Sequence, residues 1–139
     1  MGLGVDGQRP AQELRQLGWD LVEPQEVVPD HSAYRSFLTN SRGEWSVAKH
    51  GYMEGRTGWF SCRTACYLAA GRPAVVQETG WSRHLPSDRG VLPFTTLDEA
   101  AEGLGKVTRN YSEHSKAARE IALEFFDAKK VCQELLRQV

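Results

Sequence analysis

The sequence predicts an α/β fold built on a mostly parallel, doubly wound, Rossmann-like sheet. Three observations carry that expectation. The stretch from Gly58 to Gly80, GWFSCRTACYLAAGRPAVVQETG, reads as loop, helix, sharp stop, strand and loop again. Elsewhere, apolar runs of strand length alternate with amphipathic runs of helix length, the pattern of parallel strands joined by crossovers. At 139 residues with 40% hydrophobic content, the chain suffices for one domain, spanning 1–139, with a real core.

In chain order, the glycine-rich start from Met1 to Gln8 fits a strand remnant or a frayed end. Pro10 suits a first helical position, and Ala11, Leu14 and Leu17 mark one face of a short helix that Gly18 ends. Trp19 to Glu23 reads as a strand stopped by Pro24. Asp30 can cap a helix whose seam is Tyr34, Phe37 and Leu38. Trp45 to Ala48 alternates as a strand does, and His50 to Thr57, with Gly51 and Gly55, reads as a loop.

In the central stretch, Ser61 can cap a helix by accepting from a first-turn N–H. Ala65, Cys66, Leu68, Ala69 and Ala70 give that helix a small apolar surface. Gly71 can take the left-handed conformation after it, and Pro73 cannot continue it. Ala74 to Gln77 is a short apolar run of the kind buried on both sheet faces.

Trp81 to Arg89 then reads as a loop and Gly90 to Phe94 as a strand. Thr96 and Glu99 form a capping box for a helix with Leu97, Ala100, Ala101, Leu104 and Val107 on one face. Gly103 and Gly105 should weaken that helix by about 1 kcal/mol each, and Asn110 should break it. A longer helix carries Ala118, Ile121, Ala122, Phe125 and Phe126. Asp127 can cap a last one bearing Val131, Leu135, Leu136 and Val139. Four strands are few for such a sheet, so the expectation is a partial doubly wound domain.

Charge is balanced, 17 basic against 18 acidic residues. That argues against nucleic acid or a charged membrane surface as a general partner. The start MGLGVDGQRP lacks the basic and apolar segments of a signal peptide, and no run reaches membrane-spanning length. Three cysteines, an odd number, favour a reducing compartment over a disulfide framework. The expectation is a soluble cytoplasmic protein.

Parallel strands place the helix start at Ser61 and the strand end at Glu78, Thr79 and Gly80 on one sheet edge, where open α/β sheets bind ligands. Loops after Lys49, Gln77 and Phe94 open there too. Lys49, Arg56, Arg63 and the backbone of Thr79 and Gly80 could converge on a phosphate-bearing ligand. Three unrelated surface cations fit the same pattern. No P-loop or dinucleotide fingerprint is present. Cys62 and Cys66 share a helix face, but no further ligands stand at a metal-site spacing, so buried thiols fit better. His50 and His84 fall in edge loops and are candidate contacts, whereas His31 and His114 read as surface residues. Trp59 and Trp81 read as packing rather than base-stacking groups.

The central stretch resembles the nucleotide-sugar-binding segment of group-1-like glycosyltransferases of the GT-B architecture. There a helix ends in an A-x-G-x-P-V-V-like turn, followed by a strand and a T-G or G-G loop. SRGEWSVAKHGYMEGRTGWF upstream and GWSRHLP…GVLPFTTLDEA downstream are similar to one branch of that class, and the likeness runs from about Trp19 to Leu136. It implies the C-terminal, donor-binding half of a two-domain transferase, with the acceptor half not in this sequence. It also implies a UDP-type sugar nucleotide as substrate, with no metal and no other cofactor. By position, Lys49 and Arg63 match the basic groups that stabilise the departing diphosphate, and Ser61 and Thr64 match the helix start. Arg56, Glu78, Thr79 and Gly80, which share the same sheet edge, complete the candidate donor contacts. The sequence departs from the class at Gly58 and Cys66, where many members carry acidic residues. The expected partners are the nucleotide sugar and either a separate acceptor domain or a second copy in a homodimer. The rival expectation is a non-catalytic interaction module that keeps the fold and self-associates.

Overall fold

The computed structural model, which describes residues 8–138, contains a three-stranded, wholly parallel sheet. The sequence reading for Met1 to residue 7 and for Val139 falls outside the described residues. The chain divides into two compact units, residues 1–37 and 38–139. The first contains α1 (Gln8–Gln16), α2 (Pro24–Val27) and most of α3 (His31–Asn40). Gly18, at φ +84°, ends α1, and Asp30 caps α3 by accepting from the Ala33 N–H at 2.8 Å.

The strand expected from Trp19 to Glu23 is not formed. Residues 19–23 are irregular, and Trp19 and Val22 are 50% and 53% exposed. Alternating apolar residues make a strand only beside a neighbour that takes up its N–H and C=O groups. Residues 19–23 are not members of the sheet, and the Trp19 N–H donates instead to the Leu14 carbonyl at 2.9 Å.

The second unit is the α/β part. It runs β1 (Glu44–Ser46), α4 (His50–Glu54), α5 (Cys62–Ala69), β2 (Ala74–Gln77), a 3₁₀ turn (Trp81–Arg83), β3 (Val91–Phe94), α6 (Leu97–Arg109), α7 (Tyr111–Phe125) and α8 (Ala128–Arg137). Glu44 pairs in register with Ala74, and Ala74 with Val91. Side chains alternate across the sheet, so Ala74, Val76 and Val91 pack on one face with Leu68 of α5 and with Ala118, Ile121 and Ala122 of α7. Val75, Leu92 and Phe94 pack on the other with Ala100 and Val107 of α6. Helices thus cover both faces, as expected for a wound sheet, but the sheet has three strands rather than four.

Three further expectations are corrected. Residues 50–57 were expected as a loop, yet they contain α4, whose Tyr52 ring stacks on Trp59 at 5.0 Å. Packing here overrides the poor helix propensity of Gly51. Strand β1 stops at Ser46 because the Ala48 N–H turns to the Gln77 side chain, at 3.0 Å from Oε1, instead of to a ladder carbonyl. The buried face of α6 is Ala100, Gly103 and Val107, while Leu97 and Leu104 are 77% and 42% exposed. A Cβ at Gly103 would stand 3.1 Å from Val75 Cγ1. The glycine expected to weaken α6 is what seats it on β2.

Candidate functional site

Strand β2 delivers the chain to the carboxyl edge of the sheet, and α5 starts from that edge. Ser61 is extended at φ −74°, ψ 135°, and its Oγ accepts from the Arg63 N–H at 3.2 Å, so the predicted cap is formed. Around it a small hollow is lined by Ser46, Ala48, Ser61, Thr64, Gln77 and Trp81, among others, with a volume of about 10 Å³. That is room for about one water molecule.

The turn after β2 clasps the loop before α5. The Gly58 N–H donates to the Thr79 carbonyl at 2.8 Å, and the Thr79 hydroxyl donates to the Trp59 carbonyl at 2.7 Å. Glu78 folds back so that its carboxylate accepts from the Gly80 N–H. Gly80 sits at φ +100°, and a Cβ there would lie 2.9 Å from the Arg56 carbonyl oxygen. Arg56 itself adopts φ +43°, the one non-glycine residue in the left-handed region among those described. Of the predicted donor contacts, Arg56, Glu78, Thr79 and Gly80 are therefore brought together. The clasp itself is made by the backbone and hydroxyl of Thr79 with Gly58 and Trp59, while the Glu78 carboxylate braces the Gly80 N–H within the turn.

The predicted basic residues are held differently. Lys49 is exposed at the N-cap of α4, one residue beyond Ala48 of the hollow. Arg63, in the first turn of α5, donates from Nε to Glu44 Oε1 at 2.7 Å while its side chain stays 48% exposed. The Glu44 side chain is only 4% exposed, and its other oxygen, Oε2, is buried with no hydrogen-bond partner. Thr64 is buried at 1% exposure and lines the hollow.

Other candidates separate cleanly. Trp81 is buried, donates from Nε1 to the Gln77 carbonyl at 3.1 Å and meets Phe60 edge-on, so it is a packing group. His50 pairs with Glu54 at 3.0 Å on an exposed face, and His84 is exposed. His114, expected at the surface, is 5% exposed, and its Nδ1 accepts from the Gly90 N–H at 3.2 Å. Cys62 and Cys66 are exposed, not the buried thiols expected. Partial burial, Cys62 and the Glu44 carboxylate push the Cys66 thiol upward. Among the described residues no cluster of three or more His, Cys, Asp and Glu side chains could hold a metal ion, and no helix is long and apolar enough to cross a membrane.

Sequence reasoning missed Glu44. It sits at an inward position of a strand whose alternation was visible, but nothing local announces a partner nineteen residues away. The Tyr52–Trp59 stack, between residues seven apart, was missed because residues 50–57 read as a loop. No known protein family, curated protein or solved structure matches the chain.

Proposed function

We propose that the chain is a nucleotide-sugar-binding domain related to glycosyltransferases, corresponding to the C-terminal half of a GT-B arrangement. It holds a UDP-type donor along the carboxyl edge of its sheet and transfers the glycosyl group once a separate acceptor-binding half completes the cleft. What supports this reading is the meeting at one sheet edge of three elements: the Ser61-capped start of α5, the loop at residues 56–60 and the turn at residues 78–80. A helix start carries partial positive charge toward an anion. Lys49 and Arg56, both exposed, supply full charges beside it. A diphosphate so held needs no metal, because fixed cations and N–H groups stabilise the charge as it departs. The hollow is too small to enclose a nucleotide, so the donor lies over the edge rather than inside it, and the second half forms the other wall.

One observation favours the second reading, a non-catalytic interaction module. Arg63, which the resemblance assigns to the diphosphate, is bonded to a buried carboxylate. Thermal unfolding with UDP, GDP and TDP, each with and without EDTA, separates the two. Ligand at a hundred times its dissociation constant stabilises the fold by about 2.7 kcal/mol, which is a rise of several degrees in a domain this size. The donor reading expects that rise with UDP and no effect of EDTA. No rise with any of the three at millimolar concentration leaves the interaction module as the function.

A further inference from the structure

The exposed side of α6 carries a stripe that matches itself when reversed. Leu97, Ala101, Leu104 and Thr108 recur at spacings of four, three and four, the rhythm of a helix–helix seam. All four are exposed, Leu97 at 77% and Leu104 at 42%, while Ala100, Gly103 and Val107 face the sheet. The charges on α6 are polar in arrangement: Asp98 and Glu99 in the first turn, Lys106 and Arg109 in the last. Asp98 and Arg109, eleven residues apart, lie on the same flank of the stripe.

We propose that this stripe is the interface of an antiparallel homodimer, α6 against α6 across a two-fold axis. Reversal sets Leu104 of each copy on Ala101 of the other, and Leu97 on Thr108. It also sets Asp98 of each copy beside Arg109 of the other, so the symmetry makes two opposite-charge contacts at once. The helix dipoles run opposite ways, which is the favourable sense. Ala101 leaves room for close approach, and the Arg109 guanidinium lies against Gly105 on the flank. Glu102 and Lys106 are tied within the helix at 2.9 Å and stay outside this exchange.

The other exposed apolar helix lacks this arrangement. In α8, Val131, Leu135 and Leu136 are 51%, 62% and 75% exposed. Its Lys130 and Arg137 are engaged within the chain, Lys130 with Glu124 at 2.7 Å and Arg137 with Glu134 at 3.2 Å. They therefore offer no reciprocal pair like Asp98 and Arg109. A 13-residue helix is about 20 Å long. One such pair falls short of the standard interface of about 1,600 Å², so the dimer is weak and depends on concentration.

The inference is independent of the nucleotide-sugar reading. Sedimentation of the full chain from micromolar to several hundred micromolar should show a reversible monomer–dimer equilibrium that UDP leaves unchanged. Leu104→Glu should leave a monomer with unaltered circular dichroism, since residue 104 is outside the core. Asp98→Arg or Arg109→Asp alone should weaken the dimer about tenfold, through two like-charge contacts. The double variant Asp98→Arg/Arg109→Asp should restore it, and a mixture of the two single variants should form heterodimers. A wild-type monomer across the whole range overturns the proposal. So does a dimer that survives Leu104→Glu, or one that Leu135→Glu in α8 dissociates instead.

Discussion

Arg63 Nε lies 2.7 Å from Glu44 Oε1, joining the first turn of α5 to the first residue of β1 through a carboxylate whose side chain is 4% exposed. The pair is asymmetric, because the arginine side chain is 48% exposed. Solvent weakens the attraction on the arginine side. Desolvation still penalises a carboxylate left without it.

Arg63→Ala is therefore expected to destabilise the fold by about 1–2 kcal/mol, well below the 3–5 kcal/mol of a fully buried pair, because half of the arginine is solvated. Adding Glu44→Gln should recover part of the loss, since a neutral amide costs less to bury. Urea denaturation of the single and double variants measures both. A single variant as stable as the parent would mean that Glu44 tolerates burial without its partner.

Two glycines of α6 should respond oppositely to the same substitution. Ala is favoured over Gly in a helix interior by about 1 kcal/mol. At Gly105 the nearest obstacle to a Cβ is the far end of the Arg109 side chain, at 3.2 Å, which can swing away. Gly105→Ala should therefore raise stability by up to about 1 kcal/mol. At Gly103 the obstacle is Val75 Cγ1, at 3.1 Å, and Val75 is 1% exposed in the core. Overpacking costs about 1–3 kcal/mol, so Gly103→Ala should lower the melting temperature despite its better propensity.

The capping box of α6 gives a dependence on acid. Hydrogen bonds from the backbone N–H groups of Thr95 and Thr96 hold the Glu99 carboxyl below its ordinary value of 4.5. A carboxylate with a lowered folded pKa stabilises the native state fully above the unfolded value. That contribution is lost as pH falls through the lowered one. The difference in melting temperature between the parent and Glu99→Gln should thus be largest near neutrality and shrink below the ordinary carboxylate range. A difference that is constant down to about pH 3 would show that charge at Glu99 is irrelevant to the cap.

What the sequence revealed was the local chemistry. Ser61, Thr96 with Glu99, Asp30 and Asp127 each cap the helix expected of them, because a cap involves residues two or three apart. Gly71, at φ +67°, and Pro73 separate α5 from β2 for reasons contained in six residues. Long-range partners were not legible. His114 reads as an ordinary polar residue of α7 until Gly90, at φ +79° and with no room for a Cβ against Ala117 and Ala118, is seen beneath that helix. Glu44 and Arg63 likewise look like two surface charges until β1 and α5 are packed together. The edge that gathers the candidate donor contacts was readable from the strand–helix order. Which side chains there are already engaged was not.

That distinction supplies the final prediction. If the carboxyl edge binds a nucleoside diphosphate, the two cations assigned to it by resemblance should behave differently on mutation. Lys49 is exposed, and its side chain takes no part in capping α4. Lys49→Ala should leave the unliganded melting temperature within about a degree, as for an exposed residue away from the core. It should also remove most of the rise produced by UDP. Added salt should weaken UDP binding to the parent more than to this variant, since screening acts on exposed charge. Arg63→Ala should instead lower the unliganded melting temperature first, by freeing Glu44. Any loss of UDP response in that variant combines a missing cation with a newly unpaired carboxylate near the edge. Arg63→Ala/Glu44→Gln separates these: recovery of UDP binding would assign the loss to the repulsive carboxylate, and continued loss would assign it to the guanidinium. An undiminished UDP response in Lys49→Ala would remove Lys49 from the donor site and leave Arg56 as the exposed cation to examine.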